Sequence, residues 1–345
     1  MQDDDPTQIF RKAIPKKIAE LYDFRVQDIE WKRDRHPEFY EINSTYGKFV
    51  LRATSPIHRS CSLLESEADW ILFLALHGIP AAKPIRSHGG KYVELIEVCD
   101  ISRNLMLFEK APGSRPTDWT CQLIERCGEL LGKMHSVTAK YEPICSLIKR
   151  PQWHEKTVYN EINEAIKEKV FDDPEILRKF DATMKFIQAL PKNSETYGLI
   201  HSDFHARNFF VENEQITLFD FDDCTYDWFV SDIATSIFFS IQYPVDMRSW
   251  IIPATTENLI KRRGLVEMFV KHFLIGYRRI RSLGTECPKL IIEFIKLKTI
   301  ISYIAFMIDP GYSIVLRQGE IDLSSLREQV ASDISYLDID ITKLL

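Results

Sequence analysis

The chain of 345 residues lacks the features that mark membrane and nucleic-acid-binding proteins. Its most apolar stretch, residues 290–308, is interrupted by Glu293, Lys296 and Lys298 and repeats at helical spacing, so it predicts a buried helix rather than a membrane span. The net charge is −6, which is not the basic excess that favours nucleic acid. We find no internal repeat and no low-complexity segment. The sequence therefore indicates an ordinary globular protein with no predicted membrane or nucleic-acid partner.

The cysteines and the N-terminus also lack the signs of secretion. The seven cysteines are scattered, odd in number and without a CxxC pair, a pattern typical of reduced thiols. The first residues, MQDDDPTQ, are acidic and have no apolar core. With 45% hydrophobic residues, the chain can bury a core large enough for two domains or lobes. We expect a cytoplasmic protein, and the sequence leaves its oligomeric state open.

The most informative stretch lies within residues 197–232. A short β-prone segment, YGLI, stops at the polar loop HSDFHARN, and two further β-prone segments then predict a hairpin. If the four residues ENEQ form its turn, Asn208 and Asp220 occupy neighbouring positions across the hairpin. Neighbours of this kind lie about 5 to 8 Å apart, so both can reach one cation, with Asp203 at the mouth of the same cleft. These residue types are suited to phosphoryl transfer.

This spacing resembles that of a known family. HxDxxxxN at residues 201–208, followed by DFD at 220–222, is similar to the catalytic loop and metal-binding aspartate of the aminoglycoside phosphotransferase and choline kinase-like superfamily. The resemblance implies an α+β, two-lobed protein kinase-like fold. Its N-terminal lobe, residues 1–110, would be an antiparallel sheet with one helix that binds the nucleotide. The mainly helical C-terminal lobe, residues 111–345, would carry catalysis and substrate binding.

The resemblance also implies a role for each residue of the motif. Asp203 would accept or orient the proton of the substrate hydroxyl, with ATP and Mg²⁺ as cofactors. The implied metal ligands are Asn208, Asp220 and Asp222. Of these, Asp222 has two open readings, since it either assists the metal or faces the substrate. His201 and Asp232 would brace the loop as structural residues.

In the N-terminal lobe, the strand at residues 49–53 places Val50 and Arg52 on one face because side chains alternate along a strand. Glu67 falls in the apolar face of the helix predicted from 62 to 77, where an unpaired charge is costly. Arg52 is therefore its expected partner, unless Glu67 lies at a solvated rim. The resemblance gives the pair the place of the nucleotide-orienting Lys–Glu pair of kinases and puts Val50 over the adenine.

The strand that ends at Glu109 resembles the hinge of the family. Backbone groups of Glu109 and Ala111 would bind the adenine by hydrogen bonds. The glycine-rich loop of protein kinases is absent, and a charged turn at residues 32–38 takes its place. The sequence therefore does not identify the amides that bind the phosphates.

The acceptor is less well defined. Asp222, Asp223 and Asp227 suit a cationic acceptor such as an amino sugar, an amino alcohol or choline. The aromatic residues that could add cation–π contacts are Tyr226, Trp228 and Tyr243. Alternatively, the carboxylates serve the metal and the loop while the aromatic rings fill the core. We expect an ATP-dependent kinase of a small-molecule hydroxyl, aminoglycoside phosphotransferase-like, with a homoserine- or choline-type metabolite kinase as the alternative.

Two other classes of protein remain open at this point. His201, Asp203 and His205 could ligate zinc or iron in a metallohydrolase together with the carboxylates of the DFD segment, although Asn208 would then have no function. A nucleotide-binding protein without turnover would carry the same polar residues. Its one departure from the kinase pattern would be Arg52 in the place of the usual lysine.

Overall fold

The structure is a computed structural model that describes residues 6–22, 24–32, 37–144, 149–242, 256–309, 323–332 and 339–344. Residues 33–36 of the charged turn, Cys145 and Tyr243 lie outside these ranges. The chain forms two compact units. The first extends to Pro112 and also includes Tyr141–Arg150 and Thr217–Asp222, while the second contains the rest. The division at 110/111 into nucleotide-binding and substrate-binding lobes stays a prediction.

The first unit is built on an antiparallel sheet. Its strands are β1 (Val26–Trp31), β2 (Glu38–Ser44), β3 (Gly47–Thr54), β4 (Pro84–Ile85), β5 (Glu94–Val98) and β6 (Ile101–Glu109). The sheet order is β1-β2-β3-β6-β4, and β5 also pairs with β6. β3 lies beside β6 with Arg52 opposite Met106. The central position of β3 places its side chains between two packed layers.

Each face of this sheet is covered by a helix. α1 (Pro6–Leu21) packs against one face in a buried cluster that includes Leu51 and Ala53 of β3. α2 (Cys61–Leu76) begins at Ser60, whose hydroxyl accepts a hydrogen bond from the N–H of Leu63, 3.3 Å away. This helix packs on the opposite face, to which Arg52 projects. The alternation predicted for β3 is therefore confirmed.

The second unit is mainly helical. Its helices are α3 (Cys121–Thr138), α4 (Thr157–Lys167), α5 (Pro174–Gln188), α6 (Phe229–Gln242), α7 (Thr256–Ile280), α8 (Cys287–Ile308) and α9 (Leu323–Ala331). The remaining strands are β7 (Tyr197–Ile200), β8 (Phe209–Glu212), β9 (Gln215–Leu218) and β10 (Thr225–Trp228). β7 pairs antiparallel with β10, and β8 pairs with β9. The sheet followed by helices confirms the predicted α+β class.

The hairpin formed by β8 and β9 has a shorter turn than expected. Only Asn213 and Glu214 separate the strands, and both have positive φ values, 47° and 66°. Two consecutive left-handed residues match the twist of a hairpin. The expected four-residue turn was wrong by one residue at each end. Because the turn is shorter by one residue at each end, the register of the hairpin is unchanged, and Val211 still faces Ile216 as expected.

α3 and α7 approach each other closely at two glycines. A Cβ atom at Gly128 would overlap the carbonyl oxygen of Phe273, and one at Gly276 would overlap that of Glu125. Any larger residue would push the two backbones apart. The same interface holds an ion pair in which Nδ1 of His272 lies 2.7 Å from Glu125. The two glycines thus set the spacing of helices that also carry buried polar residues of the site.

Within the described ranges, no helix is both long and apolar enough to cross a membrane. The six described cysteines form no disulfide with one another.

Candidate active site

A buried carboxylate fastens the loop that follows β7. Asp232 lies in the first turn of α6 and is fully buried. Its Oδ2 accepts a hydrogen bond from the backbone N–H of His201 (3.0 Å), and its Oδ1 accepts one from Ser202 (2.9 Å). A buried charge of this kind is stable only when it is hydrogen-bonded. The structural role implied for Asp232 therefore has a direct geometric basis.

A histidine outside the motif completes this buried group. Nε2 of His135 lies 3.3 Å from Asp232, and Nδ1 lies 2.9 Å from the hydroxyl of Tyr277. Burial lowers the pKa of His135, although Asp232 acts to raise it, so the ring is neutral at pH 7. The hydrogen-bond pattern then assigns the proton to Nε2, which donates to Asp232, while Nδ1 accepts from Tyr277. The sequence did not predict this group, because its members come from three different helices.

Asp203 and Asn208 face each other within the loop. Nδ2 of Asn208 donates to Oδ2 of Asp203 (2.6 Å) and to its backbone carbonyl (3.0 Å). These bonds fix the orientation of the amide and direct its nitrogen, rather than its Oδ1, towards Asp203. Burial acts to raise the pKa of Asp203, but the neighbouring His205, His201 and Asn208 together hold it well below its ordinary value. Asp203 is therefore charged at neutral pH.

The two histidines of the loop each use a ring nitrogen to hold backbone. Nδ1 of His201 accepts from the N–H of Asp203 (3.3 Å), and Nδ1 of His205 accepts from that of Arg207 (3.1 Å). In the part of the chain that the structure describes, no group of three or more His, Cys, Asp or Glu side chains is arranged to hold a metal ion. The contact of His201 with the loop backbone is of the kind expected for a loop-bracing residue.

Ser202 sits in a strained position of the same loop. Its φ is +68°, and its buried hydroxyl has no partner among the described residues. A left-handed conformation costs a residue with a Cβ atom about 1 to 2 kcal/mol, and an unpaired buried hydroxyl adds to this cost. Glycine would remove both penalties, at the expense of a more flexible unfolded chain.

We therefore expect Ser202→Gly to raise the free energy of unfolding by about 1 kcal/mol. Urea unfolding of the two proteins measures this difference in the free energy of unfolding, provided that both show the same denaturant dependence (m-value). A variant that is no more stable than the parent would show that this backbone conformation carries no strain.

In the first unit, Arg52 and Glu67 form the predicted ion pair. Nη1 and Nη2 of Arg52 lie 3.0 and 2.6 Å from the two carboxylate oxygens, and the side chains are only 2% and 1% exposed. Burial disfavours the charged guanidinium, but Glu67 and then Asp222 raise the pKa of Arg52 above its ordinary value. A bidentate pair holds the guanidinium in one orientation. The alternative of a solvated Glu67 is therefore wrong.

The segment 220–222 is fastened to α2 in the same unit. Asp220 has a φ of +64°, a left-handed conformation that aspartate tolerates better than most residues. The ring of Phe221 meets Trp70 of α2 edge-on, with 5.5 Å between ring centroids. The buried Arg150 donates to the last carbonyl of the segment and to a carbonyl in the first turn of α2. Arg150 could not be predicted from the sequence, because it follows no motif and no helical period.

The end of β6 has the backbone geometry expected of a hinge. Because the N–H of Lys110 donates to a carbonyl of β3, the backbone groups of Glu109 point away from that strand. The N–H of Glu109 donates to the carbonyl of Lys83 (2.9 Å), and its carbonyl faces the same side. Ala111 is buried and Val50 is half-buried.

Two of the acidic residues predicted to face a cationic acceptor have cationic partners of their own. Asp227 is buried and accepts a hydrogen bond from Lys156 (2.9 Å). Asp222 lies 3.7 Å from Arg59. Trp228 is buried as well. These contacts favour the alternative in which the carboxylates support local structure and the aromatic rings fill the core.

Lys298 of α8 is a partly buried cation whose importance the sequence did not reveal. Burial lowers its pKa to about 8, and Lys156 acts in the same direction. The carboxylates that oppose this lowering are Asp227, Asp203 and Asp232. Lys298 forms no ion pair with the residues described here. A lysine in such a position costs folding energy, a pattern that is common at functional sites.

Replacing Lys298 by Met is expected to stabilise the protein at neutral pH. Between the folded pKa of about 8 and the ordinary value of 10.5, the unfolded chain binds more protons, so stability rises with pH in this window. The lysine is therefore most costly below pH 8, and the variant should gain about 1 to 3 kcal/mol at pH 7 and progressively less towards pH 10.

Urea unfolding at both pH values measures this gain, with Lys289→Met, at an exposed position of the same helix, as the control. A loss of stability on replacing Lys298 at pH 7 would contradict the prediction.

Comparisons with known proteins identify the family of the chain. The model of the family described as "Phosphotransferase enzyme family" matches residues 32–282. Amicoumacin kinase of Bacillus subtilis (strain 168) is 31% identical to this chain over 303 residues, which cover 87% of the chain and 86% of that protein.

Solved structures support the same assignment. A structure of amicoumacin kinase hAmiN in complex with AMP-PNP, Ca²⁺ and Ami matches with a TM-score of 0.84 and 28% identity, and covers 100% of both chains. A microcompartment-associated aminopropanol kinase has a TM-score of 0.70 at 19% identity, covering 94% of this chain and 99% of that one, which supports the fold alone. The chain therefore belongs to the phosphotransferase enzyme family and has its kinase-like fold.

Proposed function

We propose that this phosphotransferase is an ATP-dependent kinase that transfers a phosphoryl group to a hydroxyl of a small molecule. The observation that carries the proposal is the charged carboxylate of Asp203, held on Oδ1 by His205 (3.2 Å) and on Oδ2 by Asn208 (2.6 Å). Such a group can orient the acceptor hydroxyl and take its proton as the new O–P bond forms.

Asn208 and Asp220 are the proposed Mg²⁺ ligands. Asn208 offers a fixed amide oxygen because its nitrogen is committed to Asp203, and Asp220 offers a carboxylate. Oxygen ligands of this kind suit Mg²⁺, which would neutralise charge on the β- and γ-phosphates. We assign Asp222 to holding the segment rather than to the metal, because Arg59 competes for its carboxylate.

Arg52 is the proposed ligand of the nucleotide phosphates. Its Nε is buried and has no acceptor in the described chain, while both terminal nitrogens are fixed by Glu67. A phosphate oxygen would supply the missing acceptor, and the guanidinium is already oriented to receive it. In the same unit, the backbone of Glu109 and Ala111 would bind the adenine and Val50 would cover it.

The proposed acceptor is amicoumacin or a similar small molecule. Two of the relatives described in the previous subsection are more than 25% identical to this chain, and both are named amicoumacin kinases, which supports this acceptor. A choline-like cation has less support, because Asp227 is neutralised by Lys156 and Lys298 adds a positive charge nearby. Because the reaction consumes ATP and the described thiols are reduced, we place the protein in the cytoplasm.

A substrate panel tests this proposal. The full chain is incubated with Mg-ATP and amicoumacin, aminoglycosides, homoserine, choline or sugars, and the phosphorylated product is identified by mass spectrometry. We expect amicoumacin to be phosphorylated. Phosphorylation of another compound alone would reject the acceptor and retain the kinase. No product with any compound, together with binding of Mg-ATP, would favour a nucleotide-binding protein without turnover.

A further inference from the structure

The carboxylate of Asp203 has a neighbour that the motif does not assign. Nε2 of His205 lies 3.2 Å from Oδ1 of Asp203, on the opposite oxygen from the one that Asn208 holds. The His205 side chain is only 8% exposed, whereas that of Asp203 is 28% exposed. His205 is thus the buried partner and Asp203 the group that reaches solvent.

The backbone of the loop selects the tautomer of His205. Because Nδ1 accepts a hydrogen bond from the N–H of Arg207 (3.1 Å), that nitrogen carries no proton in the neutral ring. The proton must then reside on Nε2, which donates it to Asp203. The ring cannot easily turn away, since it packs edge-on against Phe239 with 4.9 Å between centroids.

We propose that His205 is a positioning residue that holds the Asp203 carboxylate in the plane needed to meet the acceptor hydroxyl. This inference rests on the proposed kinase function. The last torsion of an aspartate is broad and weakly restrained by itself. Hydrogen bonds to both oxygens fix that torsion, and each oxygen keeps a further lone pair for the acceptor. His205 thereby orients the base without contacting the substrate.

A purely structural role makes a different prediction. In that case His205 matters only because its Nδ1 caps the N–H of Arg207, and activity would follow the stability of the loop. The two nitrogens can be tested separately, because Asn places its amide near the position of Nδ1, whereas Gln places its amide near Nε2. His205→Asn keeps the cap and loses the donor to Asp203. His205→Gln keeps the donor and loses the cap.

Steady-state kinetics and melting temperatures of the full chain then separate the two roles. With Mg-ATP and the acceptor found in the panel, we expect His205→Asn to lower kcat about 30- to 100-fold through misplacement of the base, with the KM for Mg-ATP nearly unchanged. His205→Gln should retain kcat within about 5-fold, although it should melt at a lower temperature than His205→Asn. The expected result is therefore that His205→Gln has the higher kcat and His205→Asn the higher Tm. A kcat that follows Tm in both variants, or wild-type kcat in His205→Asn, would overturn the proposal.

A measurement without substrate keeps this proposal separate from the kinase assignment. ¹⁵N NMR of the histidine-labelled protein should show His205 as the neutral tautomer protonated at Nε2, and Asp203→Ala should shift that signal. A ring protonated at Nδ1, or no change on removing Asp203, would reject the contact even if the protein is a kinase. Conversely, the expected spectrum with no turnover on any acceptor would reject the kinase function and leave the contact intact.

Discussion

Replacing Asp203 by Asn is expected to lower kcat for phosphate transfer by about 1000-fold. The substitution keeps the size of the side chain but removes the charge that would orient the hydroxyl and receive its proton. It also introduces an amide nitrogen opposite Asn208 or His205, both of which donate to this carboxylate in the native protein. The new N–H would face another donor, so the side chain would no longer hold its orientation.

The measurement is kcat for the accepted substrate, with circular dichroism and Tm to show that the fold is intact. Asp181→Asn, at an exposed position of α5, is the matched control and should retain full activity. Because the pKa of Asp203 lies below its ordinary value, the wild-type carboxylate stays charged across the neutral range and should not create an acid limb between pH 5 and 8. Undiminished turnover in the Asn variant would remove Asp203 from the mechanism.

Replacing Asp220 by Ala is expected to abolish metal-dependent turnover, again by about 1000-fold or more. The carboxylate is the one formally charged oxygen ligand that we propose for Mg²⁺, and its loss would leave the phosphate charges poorly neutralised. Alanine also lacks the tolerance of aspartate for the left-handed conformation at φ +64°, so a cost of about 1 kcal/mol in stability is expected as well.

The exposed Asp100 provides a control for that backbone effect. Its φ of +62° nearly equals that of Asp220, but it lies in the turn between β5 and β6 and has no proposed function. Asp100→Ala should lose comparable stability and retain activity. The rise in Tm on adding AMP-PNP, measured with and without Mg²⁺, reports binding directly. In Asp220→Ala, Mg²⁺ should no longer increase this rise. Full activity of Asp220→Ala, or an equal loss of activity in both variants, would contradict the metal role.

The residues that could be predicted from the sequence lie close together along the chain or follow one period. Asp203 and Asn208 lie in one loop. Arg52 and Glu67 could be paired because the period of the strand and the period of the helix each place one charged residue on a face that is otherwise apolar. The strand and helix that carry them were also predicted within one or two residues. Local rules therefore predicted these pairs, while the class of the fold and the roles of the residues came from the resemblance to the family.

The contacts that the sequence did not reveal join distant segments. His135 and Tyr277 are 142 positions apart, and Arg150 reaches a carbonyl 72 positions away. No periodicity relates such pairs, so only the folded chain brings them together. Lys298 could not be predicted for another reason, because its burial depends on how α8 packs. In the sequence, it only interrupts the apolar stretch at residues 290–308, as an exposed lysine would. The hairpin turn was misjudged because Asn-Glu lacks the glycine that usually marks two left-handed residues.

The close contact of α3 and α7 at Gly128 and Gly276 affects the position of Asp232, although the two glycines lie outside the catalytic loop. His135 belongs to α3 and Tyr277 to α7, and their hydrogen bond supports the imidazole that orients Asp232. One added methyl group at Gly128 or Gly276 would separate these helices and lengthen that bond. Selection for loss of activity should therefore recover substitutions at these two glycines, although neither lies in the loop that carries Asp203.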